Sequence, residues 1–361
     1  MIYFFLVLFI VVLTLFYAPD SCLDENSQNR KLFVYLVSIP FFLLLLLRHD
    51  YVGTDTQNYR LIYDYFDSYV SSAKLEEHDI SNELGFYSLV QFLNYLGLPF
   101  GVLKALSAGL YIGVLSYLIY RYSKNSWFSY IYFLLSGLFI FNTTMRHCFA
   151  LSIFALAVDF AIRRKLIPYI LMVLLAISFH SSAIVIIPTW WIVQLRLSKK
   201  YIIILSVIAI LFGIFSDLIF SIGADLTGKD YEAIGAGGGL TAFLHICIVG
   251  LGIYLRDRLD KTDHVLVLFN IVILVLMPLA MKNPALFRIF IYFSFFNIIL
   301  LANLGAALQD QLKVGFFICF LSLGVYSFVY KSNQAGIRTI PYVFYWEDYK
   351  SLNPDLPSGL N

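Results

Sequence analysis

Residues 163–200 read RRKLIPYILMVLLAISFHSSAIVIIPTWWIVQLRLSKK, an apolar run enclosed by two basic clusters. If the chain crosses a membrane outward and returns within this run, each arm has about 14 residues and is about 21 Å long. The hydrocarbon core is about 30 Å thick. The tip, residues 178–182 (SFHSS), then lies below the outer surface. Polar groups at that depth are tolerated where they line protein or a wet cavity, so this hairpin predicts a cavity that opens outward.

A single tilted helix over 166–195 is the alternative. It would move the basic clusters at 196–200, 256–261 and 313 to the outside and reverse the charge bias of the later loops. The positive-inside rule therefore favours the hairpin. The pair of segments 127–143 and 147–162 is nearly as short, about 24–26 Å, and its polar tip supports the same cavity.

The composition of the whole chain agrees with this membrane setting. Of 361 residues, 60% are apolar and 13% are charged, against about 45–50% and about 25% in soluble domains. A water-soluble fold is excluded. The net charge of +2 is too balanced for a nucleic-acid-binding protein. The four cysteines are scattered singly and form no disulfide or zinc pattern.

Apolar runs alternate with polar connections along the entire sequence. They predict an all-α, polytopic integral membrane protein with about twelve transmembrane helices, forming a single transmembrane domain over 1–361. The predicted helices are 2–18, 32–47, 101–120, 127–143, 147–162, 166–179, 182–195, 201–222, 240–256, 264–281, 286–308 and 313–330.

The basic residues of the short connections predict the orientation. One set of alternate connections carries most of them and is predicted to be cytoplasmic. Three larger segments are then external: 48–100, the Gly-rich loop 223–239 and the C-terminal tail 331–361. Within the first, 82–98 has a helical pattern but is too short and too mixed to span comfortably, so we expect an amphipathic helix on the outer face.

Ionisable residues at the edges of the apolar segments are functional candidates, because burying charge in a membrane is costly. On the predicted topology they converge on the outer side. Arginines aimed into one cavity would hold a diphosphate, since guanidinium offers a fixed fork of donors. Snorkelling to lipid headgroups is the alternative for each arginine at a helix end. The cationic and imidazole candidates are Arg48, Arg146, His147, Lys282 and Arg288.

The candidates for a general base are His180, at the tip of the short hairpin, and Asp55, in the Gly53-Thr54-Asp55-Thr56 string. A neutral imidazole or a carboxylate could take a proton from a sugar hydroxyl. The alternatives are a hydrogen-bonded structural histidine and a turn-capping aspartate, and the sequence leaves the base undecided. Tyr59 could stack on a sugar ring or simply pack. No cluster has metal-ligand spacing, so we predict no metal and no cofactor.

Four motifs together resemble the EpsG/Wzy-type polysaccharide polymerase family. Residues 48–59 (RHDYVGTDTQNY) are similar to its "R, spacer, VGTDT, Tyr" signature, and 145–152 (MRHCFALS) to its "R-Q-x-hydrophobic-A" element. Residues 179–183 (FHSSA) match its hairpin tip, and Arg288 matches its late arginine. The motifs occur in order over roughly 30–345. His147 departs from the glutamine that is usual in the family.

The resemblance implies a GT-C-like glycosyltransferase of the bacterial inner membrane with its active site facing the periplasm. Such an enzyme transfers glycan from undecaprenyl diphosphate to the non-reducing end of another lipid-linked repeat unit. Its expected partners are the undecaprenyl-diphosphate-linked oligosaccharide, membrane lipid and a chain-length regulator protein. By this resemblance, Arg146 and Arg288 contact diphosphate, Arg48 contacts diphosphate or acceptor, and His180 or Asp55 is the base.

Other classes are compatible with part of this pattern. A lipid-linked oligosaccharide flippase also has many helices and a cationic cavity, but transporters usually show repeat symmetry and midplane charge, and no internal repeat is visible here. An acyltransferase would need a histidine accessible from the cytoplasm, where only His264 lies. An O-antigen ligase is chemically close, but usually has a long late external loop.

Overall fold

The computed structural model describes residues 1–17, 28–53, 55–66, 83–138, 144–218, 221, 238–281, 287–332 and 339–347. Regular secondary structure in these ranges is helical, apart from one isolated antiparallel bridge between Arg48 and Phe344. The α-helices are α1 (Ile2–Tyr17), α2 (Gln28–Leu46), α3 (Thr56–Asp64), α4 (Leu84–Tyr95), α5 (Phe100–Tyr122), α6 (Ser126–Ser136), α7 (Met145–Ile162), α8 (Leu166–Phe179), α9 (Thr189–Ile192), α10 (Lys199–Ile214), α11 (Gly239–Tyr254), α12 (Lys261–Ala280), α13 (Phe287–Ser294), α14 (Asn297–Ala307) and α15 (Asp310–Ser332).

Several of these helices have the length and composition of membrane spans. Among the described residues, six candidate spans are long and apolar enough to cross: α2, α5, α7, α12, the combined α13–α14 unit and α15. Shorter apolar helices accompany them, namely α1, α8, the return arm after α8, α10 and α11. The predicted fold class, an all-α polytopic membrane protein, is thereby confirmed.

The helices differ sharply in how far they are enclosed by the others. The spans Met145–Ile162 and Arg288–Ala307 are each 78% buried inside the protein, whereas Asp310–Ser332 is 17% buried. Helix α7 packs against α5 and α8, and α12 packs against α10, α11 and α13. Helix α7 is therefore central, and α15 lies at the periphery with most of its surface available to lipid.

The hairpin after Lys165 is present, but its two arms differ. Helix α8 ends at Phe179, and the return arm is a 3₁₀-helix, Ser181–Ile186, followed by the short α9. The sequence prediction of a regular helix over 182–195 is therefore corrected. Pro188 lies between the two pieces, and it has no N–H for an α-helical hydrogen bond and disfavours the helical conformation of the residue before it.

Two contacts hold the hairpin closed. The single proton of Tyr169 Oη is shared between the carbonyls of Ile186 (3.1 Å) and Ile187 (3.0 Å), and the oxygen accepts from the N–H of Trp190 at 3.1 Å. At the open end, Arg164 Nη1 donates to Gln194 Oε1. Because both ends of the segment meet, the alternative of one long tilted helix is wrong.

The basic connections come together at one end of the bundle. Asn125 Oδ1 caps α6, and Asp260 and Asp263 form a capping box at the start of α12. Lys124 Nζ joins these two helix starts, at 2.7 Å from Asp263 Oδ2 and 3.1 Å from Asp260 Oδ2. Burial opposes the charge of Lys124, yet both carboxylates raise its pKa above the usual value.

The opposite end is formed by the segments that the sequence predicted to be external. The predicted helix at 82–98 is α4, Leu84–Tyr95, and it packs against α8 and α5. Of the Gly-rich loop only 238–239 is described, and of the tail only 331–332 and 339–347. The side of the membrane that each end faces stays a prediction.

Candidate active site at the hairpin tip

The candidate site is organised around Glu83, a carboxylate that is only 2% exposed. Its Oε1 lies 2.6 Å from His180 Nδ1, and its Oε2 accepts from Arg146 Nη1. One buried carboxylate thus joins two residues that the sequence predicted to share a site. They lie 63 and 97 positions away along the chain. A buried carboxylate is costly unless it is paired, and here the guanidinium and the imidazole both pair it.

Glu83 is held by the start of α4. Its carbonyl accepts from the N–H groups of Phe86 (3.1 Å) and Tyr87 (3.3 Å) in the first turn of that helix. Helix α4 approaches the end of α8 closely, because Gly85 faces Ser178: a Cβ at Gly85 would lie 3.1 Å from Ser178 Cβ and from its carbonyl carbon. This close approach brings Glu83 to the hairpin tip.

His180 and Arg146 are presented by two different helix ends. The N–H of His180 still bonds to Ala176 O at 3.0 Å, but its backbone is extended (ψ 119°), which ends α8 and turns the chain. Arg146 is the second residue of α7. The two predicted hairpin tips therefore meet at Glu83.

Two tyrosines complete the surroundings of Arg146. Its Nε donates to Tyr59 Oη and its Nη1 to Tyr87 Oη, both at 3.4 Å. The guanidinium also lies 5.7 Å from the centre of the Tyr59 ring, within the range of a cation–π contact. Burial raises the pKa of Tyr59, although Arg146 opposes the rise. Tyr59 therefore stays a neutral phenol beside the cation.

These contacts leave some N–H groups of the Arg146 guanidinium available to a ligand. Its side chain is 27% exposed, whereas that of Glu83 is 2% exposed. Within the described part of the chain, the bonds of Arg146 run through Nε and Nη1. The N–H groups of Nη2 can therefore bind an anion while Glu83 fixes the rest of the fork.

His147 lies behind His180. Its ring is fully buried, with its centre 5.4 Å from that of His180 and 4.6 Å from that of Tyr292. Among the described residues, neither of its nitrogens has a hydrogen-bond partner. Tyr292 in turn places its Oη 3.3 Å from Ser182 Oγ. His147 thus packs against the site rather than facing solvent.

Arg288 and Asp55 lie at the edges of this arrangement. Arg288 is exposed at the start of α13, and its charge acts on His147. Asp55 precedes α3, makes no side-chain cap to that helix, and its charge acts on Tyr59. Lys282 lies outside the described residues.

Arg48 occupies a different environment. It is 1% exposed and lies close to Tyr342, Cys148 and Asp50. Its backbone carbonyl accepts from Lys104 Nζ at 3.1 Å, and its neighbours in sequence pair with the chain around Val343 and Tyr345. Burial lowers the pKa of Arg48 to about 10. In this conformation Arg48 connects the C-terminal segment to the bundle and does not join the Glu83 cluster.

Glu83, Tyr87, Ser182 and Tyr292 are the members of the site that the sequence analysis did not select. Glu83 could have been considered, since it is the acidic residue in the first turn of the amphipathic helix predicted over 82–98. Its role depends on contacts with residues far away in the sequence, which no local pattern reveals. The tyrosines resemble ordinary packing residues, because the chain contains 26 of them.

The fold and this site define a class of protein: a multi-pass membrane protein with an arginine, a histidine and a shared buried carboxylate at one end of its helical bundle. The chain matches the family model of the EpsG family over residues 31–344 of 361. It belongs to the EpsG family, which indicates a membrane protein of the polysaccharide polymerase type. No curated protein and no solved structure matches the chain.

Proposed function

We propose that this protein is a glycosyltransferase that polymerises polysaccharide from undecaprenyl-diphosphate-linked repeat units at the outer face of the bacterial inner membrane. The observation that carries the proposal is the buried Glu83 carboxylate, which contacts both His180 and Arg146. This arrangement supplies a base and an anion-binding cation on opposite sides of one group. Family membership supports the substrate class.

His180 is the general base in this proposal. With its Nδ1–H donating to Glu83 Oε1 at 2.6 Å, the imidazole presents Nε2 as a proton acceptor. The negative charge of Glu83 stabilises the imidazolium that forms, and holds the ring in the required tautomer. Asp55, the other candidate, is placed beside Tyr59 instead, so the geometry favours His180.

The reaction transfers one glycan and conserves all charges. His180 takes the proton of an acceptor hydroxyl at the non-reducing end of one lipid-linked unit. The acceptor oxygen then forms a bond to the anomeric carbon of the donor glycan. The bond between that carbon and the diphosphate oxygen breaks, and its electron pair leaves with the undecaprenyl diphosphate.

Arg146 and Arg288 stabilise the charge that develops on the leaving diphosphate. Arg146 is held by Glu83 and by two tyrosines, so it is already oriented before substrate binds, which is the condition for effective electrostatic stabilisation. Arg288 is exposed beside the site and supplies a second fork. With two guanidinium groups on the diphosphate, we propose a reaction that requires no metal ion.

The proposal is tested by replacing His180 with alanine. In a strain that lacks the protein, plasmid-borne wild type should restore long surface glycan on a gel, and the His180→Ala variant should leave single-repeat glycan. His264→Ala is the matched control, because that histidine bonds to Arg256 O at the opposite end of the bundle. Long glycan from His180→Ala at normal abundance would contradict the assignment.

The metal independence has its own test. The purified protein should elongate the lipid-linked repeat unit equally well with and without EDTA, since the diphosphate charge is met by guanidinium groups. Elongation that stops with chelator and returns with a divalent metal ion would show that the guanidinium groups of Arg146 and Arg288 are not sufficient.

A further inference from the structure

A cavity is lined by residues of α3, the helix that carries Tyr59 of the candidate active site. Its volume is about 800 Å³, and its walls come from the end of α2, α3, the end of α4, the start of α5 and Tyr345. A cavity of about 280 Å³ continues it and shares four of its lining residues, which are His49, Asp50, Arg60 and Asp64. We call the two together the α3 cleft. Ligand sites commonly have volumes of about 300–1,000 Å³.

Helix α3 contributes side chains both to the active site and to the cleft. Tyr59 faces Arg146 and is buried. Arg60, the next residue, faces the cleft and is 56% exposed. Neighbouring residues of one helix therefore contact the active site and line the cleft.

Charges of both signs alternate within the cleft. Asp50 accepts from Lys104 Nζ (2.7 Å) through Oδ1 and from Arg60 Nη1 (2.6 Å) through Oδ2. Arg60 Nε also donates to Asp64 Oδ2 at 3.3 Å. Burial would raise the pKa of Asp50, but Lys104 and Arg60 together hold it below its usual range. Asp50 is thus anionic, and the cations around it are locally neutralised.

This composition excludes several kinds of ligand. A phosphate would be repelled by Asp50 and Asp64, and a metal ion by Arg60 and Lys104. An isoprenoid or acyl chain would cover the charged groups of these four residues and remove their contact with water. A neutral molecule with many hydroxyl groups fits, because each hydroxyl both donates and accepts a hydrogen bond.

The cleft also offers groups suited to a sugar. Asn94 donates through Nδ2 to Tyr63 O at 2.9 Å, so its Oδ1 remains as an acceptor, and the Asp64 side chain is 43% exposed. Aromatic surfaces lie at the edge: the rings of His49 and Tyr51 are stacked with centres 5.1 Å apart, and Tyr345 is 59% exposed.

We propose that the α3 cleft binds a neutral segment of the acceptor oligosaccharide, whose hydroxyl groups donate to Asp64 and Asn94 and accept from Arg60, and whose ring contacts Tyr345. The inference rests on the proposed function, since it assigns one substrate of that reaction to a site of its own. The non-reducing end of the acceptor glycan held here would extend toward the Glu83 cluster. The diphosphate of the same acceptor would stay outside the cleft.

The test measures binding of the producing strain's own repeat-unit oligosaccharide after mild acid has removed the lipid diphosphate. Full-length protein in lipid nanodiscs is titrated by calorimetry, as wild type, Asp64→Asn, Tyr345→Ala and Arg146→Ala. We expect Asp64→Asn to weaken binding about tenfold, the effect of a lost charged hydrogen bond. Tyr345→Ala should weaken it by a similar factor, because the sugar loses its aromatic contact surface. Arg146→Ala should bind as wild type does. Asp310→Ala, at the start of α15, is the control for an exposed carboxylate.

Several outcomes would overturn the inference. These are no binding to wild type, binding by both cleft variants that is as tight as that of wild type, or displacement of the oligosaccharide by inorganic diphosphate. The two cleft substitutions are at partly exposed side chains, and thermal unfolding of each variant verifies that the fold is kept. If Arg146→Ala still made long glycan in cells, the proposed function would fail while the binding result would stand.

Discussion

At the residue scale, Glu83 decides whether the predicted site residues act together. Glu83 pairs with Arg146 and with His180 from a buried position, so it orients both side chains together. Arg146 gains a fixed position, and His180 gains a fixed tautomer. Neither effect requires the carboxylate to contact substrate.

The shape of Arg146, and not only its charge, should matter. Lysine at this position keeps the positive charge but cannot bond to Glu83, Tyr59 and Tyr87 at once. We expect Arg146→Lys to leave single-repeat glycan on a gel of surface polysaccharide. Arg258→Lys, at the opposite end of the bundle, is the matched control, since its Nη1 donates to Ala307 O at 3.3 Å. Long glycan from Arg146→Lys would show that charge alone suffices.

The residue-level comparison between sequence and structure has a physical pattern. The sequence indicated Arg146 and His180 as neighbours from the polar tips of two short predicted hairpins, and the structure places both side chains beside Glu83. It also selected Arg48, which the fold buries beneath the C-terminal segment instead of adding it to the Glu83 cluster. Glu83 was not selected, since nothing local distinguishes a carboxylate that pairs over long distances from one that faces water.

At the element scale, the site depends on the close approach of α4 and α8. Gly85→Ala should separate these helices, because the new Cβ would meet the backbone and Cβ of Ser178 at 3.1 Å. We expect the variant to insert normally but to lose most of its long glycan. Gly101→Ala in α5 is the control, since a Cβ there meets nothing within 4 Å. Equal activity of the two variants would refute the role of this contact.

The Tyr169 hydroxyl is one of the two contacts that hold the hairpin closed. Tyr169→Phe removes the bonds to Ile186 O, Ile187 O and Trp190 N. Because buried backbone groups then lose their partner, we expect a loss of about 1–3 kcal/mol, seen as a lower thermal unfolding temperature in detergent. Tyr254→Phe, on a ring that is 79% exposed, should change little. An unchanged unfolding temperature for Tyr169→Phe would mean that the return arm is held by packing alone.

The helix bounds predicted from the sequence were accurate where the apolar run was long. Helices α5, α7 and α12 begin and end within a few residues of the predicted bounds. The return arm was predicted less well, because residues 182–195 are apolar enough for a helix while Pro188 prevents a regular one. The span at 286–308 is divided into α13 and α14 at Phe295–Phe296, a break that the hydrophobic pattern conceals.

At the scale of the whole molecule, two polar regions occupy opposite ends of the bundle. One contains Lys124 with Asp260 and Asp263, and the other contains the Glu83 cluster and the α3 cleft. Helix α7 connects them, with Arg146 at one end and Asp159 near the other. At 1.5 Å per residue its 18 residues span about 27 Å, close to the thickness of a membrane core.

This arrangement predicts which residues are accessible from outside the cell. In a background without the four native cysteines, Tyr95→Cys should react with a membrane-impermeant maleimide in intact cells, because α4 lies at the site end. Asp257→Cys, whose native side chain is 87% exposed at the basic end, should react only after the membrane is permeabilised. The reverse labelling pattern would place the Glu83 cluster on the cytoplasmic side and contradict the proposed location of the reaction.

The most direct test of the account is the elongation rate of purified Glu83→Gln protein on lipid-linked repeat units, measured beside wild type and Asp55→Asn. Glutamine keeps the shape of the side chain but removes the charge that pairs Arg146 and supports His180. General-base catalysis contributes about 10²–10⁴-fold, so we predict that Glu83→Gln elongates at least about 100-fold more slowly, while Asp55→Asn stays within a few-fold of wild type. A Glu83→Gln rate equal to that of wild type would contradict the central claim.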